Sequence, residues 1–369
     1  MISAFTVHVP DEVLDDLCAR IRSTRWPPAA PVEPWEQGTD LDYLRGLLTY
    51  WASGFDWRAQ EAELNELDHY RVHLDGVPIH FVHQKARNGN GIPLILTHGW
   101  PSLFLEYLPL VPLLTDRFDL VIPSLPGYGF SGRPDRTGVN YRYVAELWHR
   151  LMRLLGYTRY GAAGGDFGSG VSTLMALDDP TSMLGIYVST LELDGYRGPE
   201  SRPLSTAEQS YLESRASWDA RERGYSHIQS TKPQTVGYAL NDSPAGLAAW
   251  ILEKWHSWAA ADVDPDHLLT MLTIYWATQS VTTSLRDYYD NRWTGVTFGP
   301  TDFVAVPTGV GAFNHHRIPE GDPPREWFER LYNVTHWTPM PRGGHFAATE
   351  EPELLAADLA AFFGQLPRA

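Results

Sequence analysis

The sequence predicts an α/β fold in which a mainly parallel, doubly wound sheet carries helices on both faces. Short apolar strands alternate with helical patterns from residue 76 onward, as in parallel sheets with helical crossovers. Near the middle of the chain, a glycine-rich turn joins one such strand to a helix. Between residues 196 and 280 the alternation stops and helical stretches follow one another. A chain of 369 residues, 43% of them hydrophobic, is long enough to bury one large core with additions.

Residues 1–75 are predicted to form a helical extension wrapped on that domain. Apolar side chains recur at helical spacing over residues 11–24, 41–53 and 57–67. Trp26-Pro27-Pro28 ends the first of these helices, because proline cannot continue it and restricts the residue before it. This region therefore stands apart from the strand-rich part of the chain.

From His69 the hydrophobic period changes to that of strands. Alternating runs at 70–74 and 79–82 flank Asp75-Gly76, a hairpin turn signal. The remaining elements are predicted in order as strands at 92–96 and 120–123, a helix at 144–155, a strand at 158–163, a strand at 302–307, a helix at 324–332, a strand at 334–338 and a helix at 351–363. We assign residues 76–195 and 281–369 to the sheet domain.

Residues 196–280 are predicted to form a helical cap. They are rich in Trp and Tyr and interrupt the alternation after the sixth strand. Ligands of open α/β sheets bind outside the carboxyl ends of the strands. An insertion at this point is expected to cover that edge.

The run Gly164-Gly165-Asp166-Phe167-Gly168 carries the strongest chemical signal. It lies between a predicted strand and a helix, which is the context of a nucleophile elbow. The glycines allow the sharp turn that lifts one side chain above the sheet. A carboxylate at this position needs no base before it attacks, and it suits an electrophilic sp³ carbon. Asp166 therefore indicates chemistry on epoxides or alkyl halides rather than on ordinary esters or peptides.

A second signal is His98-Gly99-Trp100-Pro101, directly after the strand that ends at Thr97. Hydrolysis of an ester requires backbone N–H groups directed at the developing oxyanion. In this architecture one donor follows the nucleophile, here the Phe167 amide, and the other comes from this loop, here Trp100. The Trp100–Pro101 bond is a candidate cis peptide.

A third signal is His345, within Pro341-Arg342-Gly343-Gly344-His345-Phe346, after the last strand and before the last helix. A histidine there can reach the nucleophile and activate water. A nucleophile followed by a late histidine is the chain order of the α/β-hydrolase fold. The predicted fold is therefore an α/β-hydrolase domain with a helical cap and an N-terminal extension.

Across nearly its whole length the sequence resembles the microsomal-type epoxide hydrolases, a branch of the α/β-hydrolase superfamily. The similarity is carried by Phe55-Asp56-Trp57-Arg58, the His98 and Asp166 motifs, Leu240-Asn241-Asp242-Ser243-Pro244 and Gly343-Gly344-His345-Phe346. The resemblance implies Asp166 as nucleophile, His345 as base, and Tyr225 and Tyr275 as the acids that open the ring. A phenol can donate to the departing alkoxide oxygen while staying protonated at neutral pH. The family includes membrane-anchored and soluble bacterial members, and the resemblance is to the soluble kind.

The sequence departs from this family at the third member of the triad. Family members carry an acid after the seventh strand, in a pattern like Phe-Pro-x-Glu/Asp, whereas here the run is Phe313-Asn314-His315-His316. A histidine thus stands where the carboxylate that orients the base is expected. We expect Glu320 to serve as the acid. The alternatives are Asp322 in the same loop, and Glu192 or Asp194 after the sixth strand.

Composition limits the partners. The formal charge of −16 opposes nucleic-acid binding. A single cysteine, Cys18, excludes an internal disulfide, and no apolar run of membrane-spanning length occurs, so a cytoplasmic location is expected. No cofactor is implied. His315 and His316 have no third potential ligand at a spacing typical of metal sites, so no metal site is expected. A homodimer is the default for the oligomeric state.

These observations predict an epoxide hydrolase that forms a vicinal diol through a covalent ester on Asp166. The aromatic cap indicates a bulky, apolar or aryl epoxide, from a detoxification or natural-product pathway. Two alternatives stay open. A haloalkane dehalogenase-like enzyme would use the same nucleophile, with indole N–H groups binding the halide. An epoxide-binding protein impaired by the missing acid would accumulate the adduct.

Overall fold

Nine strands form one sheet in the computed structural model, which describes residues 1–367. The strands are β1 (Ser3–Ala4), β2 (His69–Leu74), β3 (Val77–Gln84), β4 (Ile92–Thr97), β5 (Phe118–Pro123), β6 (Tyr160–Gly164), β7 (Met183–Val188), β8 (Val304–Ala312) and β9 (Tyr332–Pro339). Their order is β1-β2-β3-β5-β4-β6-β7-β8-β9. The pairs β1-β2, β2-β3 and β3-β5 are antiparallel, and every other neighbouring pair is parallel. The predicted mainly parallel sheet is confirmed.

Helices cover both faces of the sheet and connect its strands. They are α1 (Asp11–Arg22), α2 (Leu41–Ser53), α3 (Trp57–Leu64), α4 (Val111–Leu114), α5 (Tyr141–Leu154), α6 (Phe167–Asp178), α7 (Thr206–Glu222), α8 (Gly224–Gln229), α9 (Pro233–Asp242), α10 (Pro244–Trp258), α11 (Pro265–Thr278), α12 (Val281–Thr294), α13 (Arg325–Phe328), α14 (Ala347–Glu350) and α15 (Pro352–Gly364). Two 3₁₀ helices span Phe104–Leu110 and Pro180–Ser182.

The N-terminal segment packs mainly on helices that follow β7. Helices α1 and α2 contact α10, and α3 contacts α11. Arg20 forms an ion pair with Asp242 at 2.8 Å, and the indole of Trp51 donates to Thr273 at 2.9 Å. Strands β1 and β2 add two antiparallel strands to the edge of the sheet. Residues 1–75 therefore join the sheet to the helical segment, and their boundary falls inside the β2–β3 hairpin.

The helical segment between β7 and β8 extends beyond the predicted boundary at residue 280. Gln279 adopts a left-handed conformation, with φ at 52°, and ends α11. Helix α12 begins two residues later and packs on α8 and α9. Because α12 packs with the preceding helices, the run of helices ends at Thr294, and residues 281–294 group with it rather than with the sheet.

Parallel pairing brings the site-bearing loops to one edge of the sheet. The carboxyl ends of β4, β6 and β9 lie on the same side, and each is followed by one predicted signal: Trp100 after β4, Asp166 after β6 and His345 after β9. The register pairs Thr97 with Gly164, two residues from the aspartate. Motifs far apart in sequence thereby meet in one place.

Candidate active site

Asp166 stands on a sharp turn between β6 and α6. Its backbone has φ 49° and ψ −130°, which a non-glycine residue rarely adopts and which marks a strained turn. A Cβ on Gly99 would overlap the Asp166 carboxylate, and one on Gly168 would overlap the carbonyl of Thr97. Only glycine therefore lets the β4 loop and the elbow approach this closely. The predicted elbow is present.

Two backbone amides hold one oxygen of this carboxylate. The N–H of Trp100 donates to Asp166 Oδ1 at 2.9 Å, and that of Phe167 donates to the same oxygen at 2.7 Å. The Trp100–Pro101 peptide is cis, as predicted. Both predicted donors thus converge on a single oxygen, where negative charge develops if the carboxyl carbon is attacked.

The second oxygen of Asp166 faces His345. Nε2 of His345 lies 3.5 Å from Oδ2, with both side chains nearly buried. The loop around His345 is fixed by Glu350, whose carboxylate accepts from the amides of Gly344 and Phe346 at 3.2 and 3.0 Å. The histidine is therefore held where it can remove a proton from a water molecule near Asp166.

Opposing effects act on the charge of His345. Burial lowers the pKa of this imidazole, but the Asp166 carboxylate, with smaller contributions from Glu106 and Glu320, raises it, and the net pKa lies above the ordinary value. The largest raising contribution comes from the side-chain contact with the Asp166 carboxylate, followed by its negative charge. Neutralising Asp166 removes that contribution and lowers the pKa of His345.

The predicted triad acid, Glu320, lies in the wall of the same cavity without a hydrogen bond to His345. Within residues 1–367, Asp166 alone places a carboxylate oxygen within 4.0 Å of a ring nitrogen of His345. Burial raises the pKa of Glu320, while His345 lowers it. A second carboxyl that sequence reasoning missed, Glu106 on the 3₁₀ helix after β4, is buried nearby, and burial raises its pKa to about 7.

The three alternative acids have other partners. Tyr141 donates its hydroxyl to Glu192, and burial, followed by the charge of Asp166, raises the pKa of Glu192 to about 8. Asp194 pairs with Arg215 at 2.9 Å and accepts from the indole of Trp327. Asp322 lies near His315 rather than His345. We find no hydrogen bond from His345 to any of these carboxyls in residues 1–367.

Tyr225 lies beside the nucleophile, as predicted, with Tyr288 next to it. The ring of Tyr225 stacks on Trp100 with centroids 5.4 Å apart, and Tyr288 lies edge-on at 5.8 Å. Burial raises the pKa of both phenols well above the ordinary value, and the charge of Asp166 raises each further. Both therefore stay protonated as hydrogen-bond donors at neutral pH.

The structure does not bring Tyr275 to this cavity. Tyr275 is fully buried on α11, and its hydroxyl donates to the carbonyl of Ser102 at 3.2 Å. Its place in the predicted pair is occupied by Tyr288 on α12. The sequence places Tyr288 on the same helix face as Val281 and Leu285, but this spacing does not show that the face lines the cavity. The choice of Tyr275 is corrected on this geometry.

The carboxyl ends of the strands and the cap helices enclose a cavity of about 360 Å³. Its wall near Asp166 is aromatic, and charged side chains complete it. The lining includes Tyr141, Asp166, Phe167, Glu192, Arg215, Trp218, Arg223, Tyr225, Trp258, Tyr288, Arg292, His316, Glu320 and His345. The aromatic cap predicted from the sequence thus forms only part of the cavity wall.

Two family models match the chain. The family model for the epoxide hydrolase N terminus matches residues 2–107, and that for the alpha/beta hydrolase fold matches residues 92–293. A putative epoxide hydrolase of Stigmatella aurantiaca is 40% identical over 385 residues, covering 99% of this chain and 85% of that protein. The chain belongs to the epoxide hydrolase family.

Solved structures of epoxide hydrolases superpose on nearly the entire chain. The epoxide hydrolase of Aspergillus niger is 30% identical with a TM-score of 0.88, over 100% of this chain and 97% of that one. The juvenile hormone epoxide hydrolase of Bombyx mori is 31% identical with a TM-score of 0.88, over 99% and 94%. The predicted family, the α/β-hydrolase fold and the enzyme class, an epoxide hydrolase, are confirmed.

Two further properties of this epoxide hydrolase concern residues 1–367. No helix there is both long and apolar enough to cross a bilayer. No group of three His, Cys, Asp or Glu side chains in the same range is placed to hold one metal ion.

Proposed function

We propose that this epoxide hydrolase works in two steps through an ester on Asp166. In the first step Oδ2 attacks an epoxide carbon, the C–O bond of the ring breaks, and the ring oxygen receives a proton from a phenol. The observation that supports this proposal is the difference between the surroundings of the two carboxylate oxygens. Oδ1 is bound by the amides of Trp100 and Phe167, while Oδ2 is 3.5 Å from His345 and open to the cavity.

The second step returns the enzyme to its starting state. His345 Nε2 takes a proton from water as the water oxygen bonds to the carboxyl carbon of Asp166. The charge that develops on Oδ1 is stabilised by the two amides. The bond from that carbon to Oδ2 then breaks, His345 returns its proton to the leaving alkoxide, and the diol departs with Oδ2. The second proton of the water passes from the new carboxyl group to the phenolate left by ring opening, which restores the Asp166 carboxylate and the phenol. One water oxygen stays in Asp166.

This oxygen exchange gives a direct test. In ¹⁸O water under single turnover with styrene oxide, we expect the peptide containing Asp166 to gain 2 mass units while the diol stays unlabelled. The Asp166→Asn protein serves as the control for nonspecific exchange. Label found directly in the first-turnover diol would contradict the ester intermediate, because water would then have attacked the epoxide itself.

We propose Tyr225 and Tyr288 as the ring-opening acids. Replacing either by Phe removes one donor to the alkoxide, and a general acid typically contributes about 10²-fold to 10⁴-fold. We expect a loss near the lower end for each single variant, because the other phenol remains, and near the upper end for the double variant. The rate of ester formation, followed by quenched-flow mass spectrometry, is the measurement. Tyr275→Phe is the matched control and should leave this rate within about twofold, whereas a large loss there would restore Tyr275 to the site.

For the predicted acid, we propose that Glu320 acts together with Glu106 through their charge. Both carboxyls raise the pKa of His345 without bonding to it. They would favour the imidazolium that forms when His345 takes a proton from water.

We propose a bulky apolar or aryl epoxide as substrate, since Phe167, Tyr225, Trp258 and Tyr288 surround the nucleophile. A natural-product or detoxification role, a cytoplasmic location and a homodimer stay predictions.

The dehalogenase alternative needs indole donors for a halide. The indole of Trp100, on the loop that contacts Asp166, stacks on Tyr225 and is not part of the cavity wall.

A further inference from the structure

His345 faces Asp166 through Nε2. A hydrogen bond to its other ring nitrogen, Nδ1, would fix the orientation of the ring. An imidazole that activates water must present Nε2 without a proton, so its N–H must be at Nδ1. In triads a partner on that nitrogen fixes both the tautomer and the ring orientation. No carboxylate fills this role at hydrogen-bonding distance in residues 1–367, since the carboxyls of Glu106 and Glu320 lie beyond 4.0 Å.

One neutral group beside His345 has the required acceptor. His316 lines the same cavity, and its ring lies edge-on to that of His345 with centroids 6.1 Å apart. The two rings make no direct hydrogen bond, and a centroid separation of 6.1 Å leaves a gap that one bridging water can span. Nε2 of His316 is buried and has no hydrogen-bond partner in the part of the chain that the structure describes.

The tautomer of His316 is set by its own loop. The backbone carbonyl of Phe313 lies close enough to the imidazole of His316 to favour an N–H on the ring nitrogen that faces it. Since a neutral imidazole has one donor and one acceptor nitrogen, the unpartnered Nε2 carries the lone pair. Burial, and after it the charge of the neighbouring His345, lowers the pKa of His316 to about 3, so the ring is neutral at ordinary pH. A buried acceptor without a partner is costly, and it therefore needs a donor.

We propose that His316 is the positioning residue of His345, a neutral imidazole that accepts the Nδ1–H of the base through one water, in place of a carboxylate. This rests on the proposed ester mechanism. Unlike a carboxylate, a neutral acceptor orients the base without adding charge. Glu320, together with Glu106 where it is ionised, supplies negative charge from a distance, so orientation and charge compensation are divided between different residues.

The test separates the two half-reactions. Styrene oxide is mixed with excess enzyme, and ester formation and ester hydrolysis are followed by quenched-flow mass spectrometry. In His316→Phe, which keeps an aromatic ring but removes the acceptor, we expect hydrolysis to slow by roughly 10-fold to 100-fold, as when the partner of a functional histidine is lost. Ester formation should stay within about twofold, because it does not use His345 as a base.

Two further variants distinguish positioning from packing. His316→Gln retains a neutral acceptor and should recover most of the hydrolysis rate. His316→Glu supplies a carboxylate and should shift the midpoint of the pH profile of hydrolysis upward, because negative charge raises the pKa of His345. Glu320→Gln and Glu106→Gln are the comparison and should shift that midpoint downward with a smaller loss of maximal rate.

The opposite outcomes are equally clear. Unchanged ester hydrolysis in His316→Phe would overturn the inference, as would an equal loss in both half-reactions or a failure of His316→Gln to restore the rate. A 100-fold loss in Glu320→Gln or Glu106→Gln, without one in His316→Phe, would assign the partner to that carboxyl. If the parent enzyme forms no ester at all, the proposed mechanism fails rather than the role of His316.

Discussion

Replacing Asp166 with Asn is expected to abolish diol formation, with a loss of about 10⁴-fold or more in kcat. The amide is a poor nucleophile, so no ester forms and the second step has no substrate. The substitution keeps the size of the side chain and leaves a carbonyl oxygen that can still accept from the amides of Trp100 and Phe167. The measurement is diol formation from styrene oxide, with intact-protein mass spectrometry as a check for the adduct.

Two controls make that result interpretable. Deamidation of the introduced side-chain amide would regenerate the parent carboxylate, so the mass of the peptide that contains this position must be followed throughout the assay. Asp242→Asn makes the same chemical change at an exposed residue that pairs with Arg20 far from the cavity, and it should retain full activity. Diol formation at the parent rate by undeamidated Asp166→Asn would remove Asp166 from the mechanism.

Local sequence determined the elbow and its partners because their geometry is local. The glycines around Asp166 allow a turn that other residues could adopt only with overlap, and the pattern can be seen in five consecutive positions. The loops after β4 and β9 follow the same logic. Once the strands are recognised as parallel, their carboxyl ends must meet at one edge, so Trp100 and His345 are brought to Asp166 by topology.

The second phenol could not be predicted with the same certainty, since cap helices position it by tertiary packing. Tyr275 and Tyr288 lie on consecutive helices, and each follows an apolar helical pattern. Which one faces the sheet depends on how α11 and α12 pack, and the left-handed Gln279 between them sets that change of direction. No local pattern reports this angle. Tyr275 instead bonds to Ser102 in the interior.

The partner of the base was hard to predict for a different reason. The sequence predicts a carboxylate as the partner, because triads usually contain one, and the loop after β8 contains Glu320 and Asp322. The groups nearest to His345 include Glu106, which is remote in sequence, and His316, which stands at the expected position with different chemistry. Which group lies close to a ring nitrogen of His345 depends on how side chains are placed in three dimensions. A pattern of residue types in the sequence does not contain that information.

Replacing His345 with Gln is expected to separate the two steps of the reaction. Ester formation requires Asp166 and the phenols and should proceed at a rate within a few-fold of the parent. Hydrolysis loses its general base and should slow by about 10³-fold to 10⁴-fold. The enzyme should therefore accumulate the alkyl ester, visible as a mass increase equal to one styrene oxide per chain, with a burst of substrate consumption and little diol.

The pH dependence of the parent enzyme follows from the same residue. Burial lowers the pKa of His345, but in the free enzyme the contact with Asp166 and its charge, together with Glu106 and Glu320, outweigh burial and raise the net value. Esterification neutralises Asp166, so the pKa of His345 should fall in the intermediate and keep the base unprotonated. Hydrolysis of the accumulated ester should then rise with pH through a midpoint below that of His345 in the free enzyme, measured by NMR. A midpoint at or above the free-enzyme value, or a His345→Gln protein that turns over without accumulating ester, would show that another group activates the water.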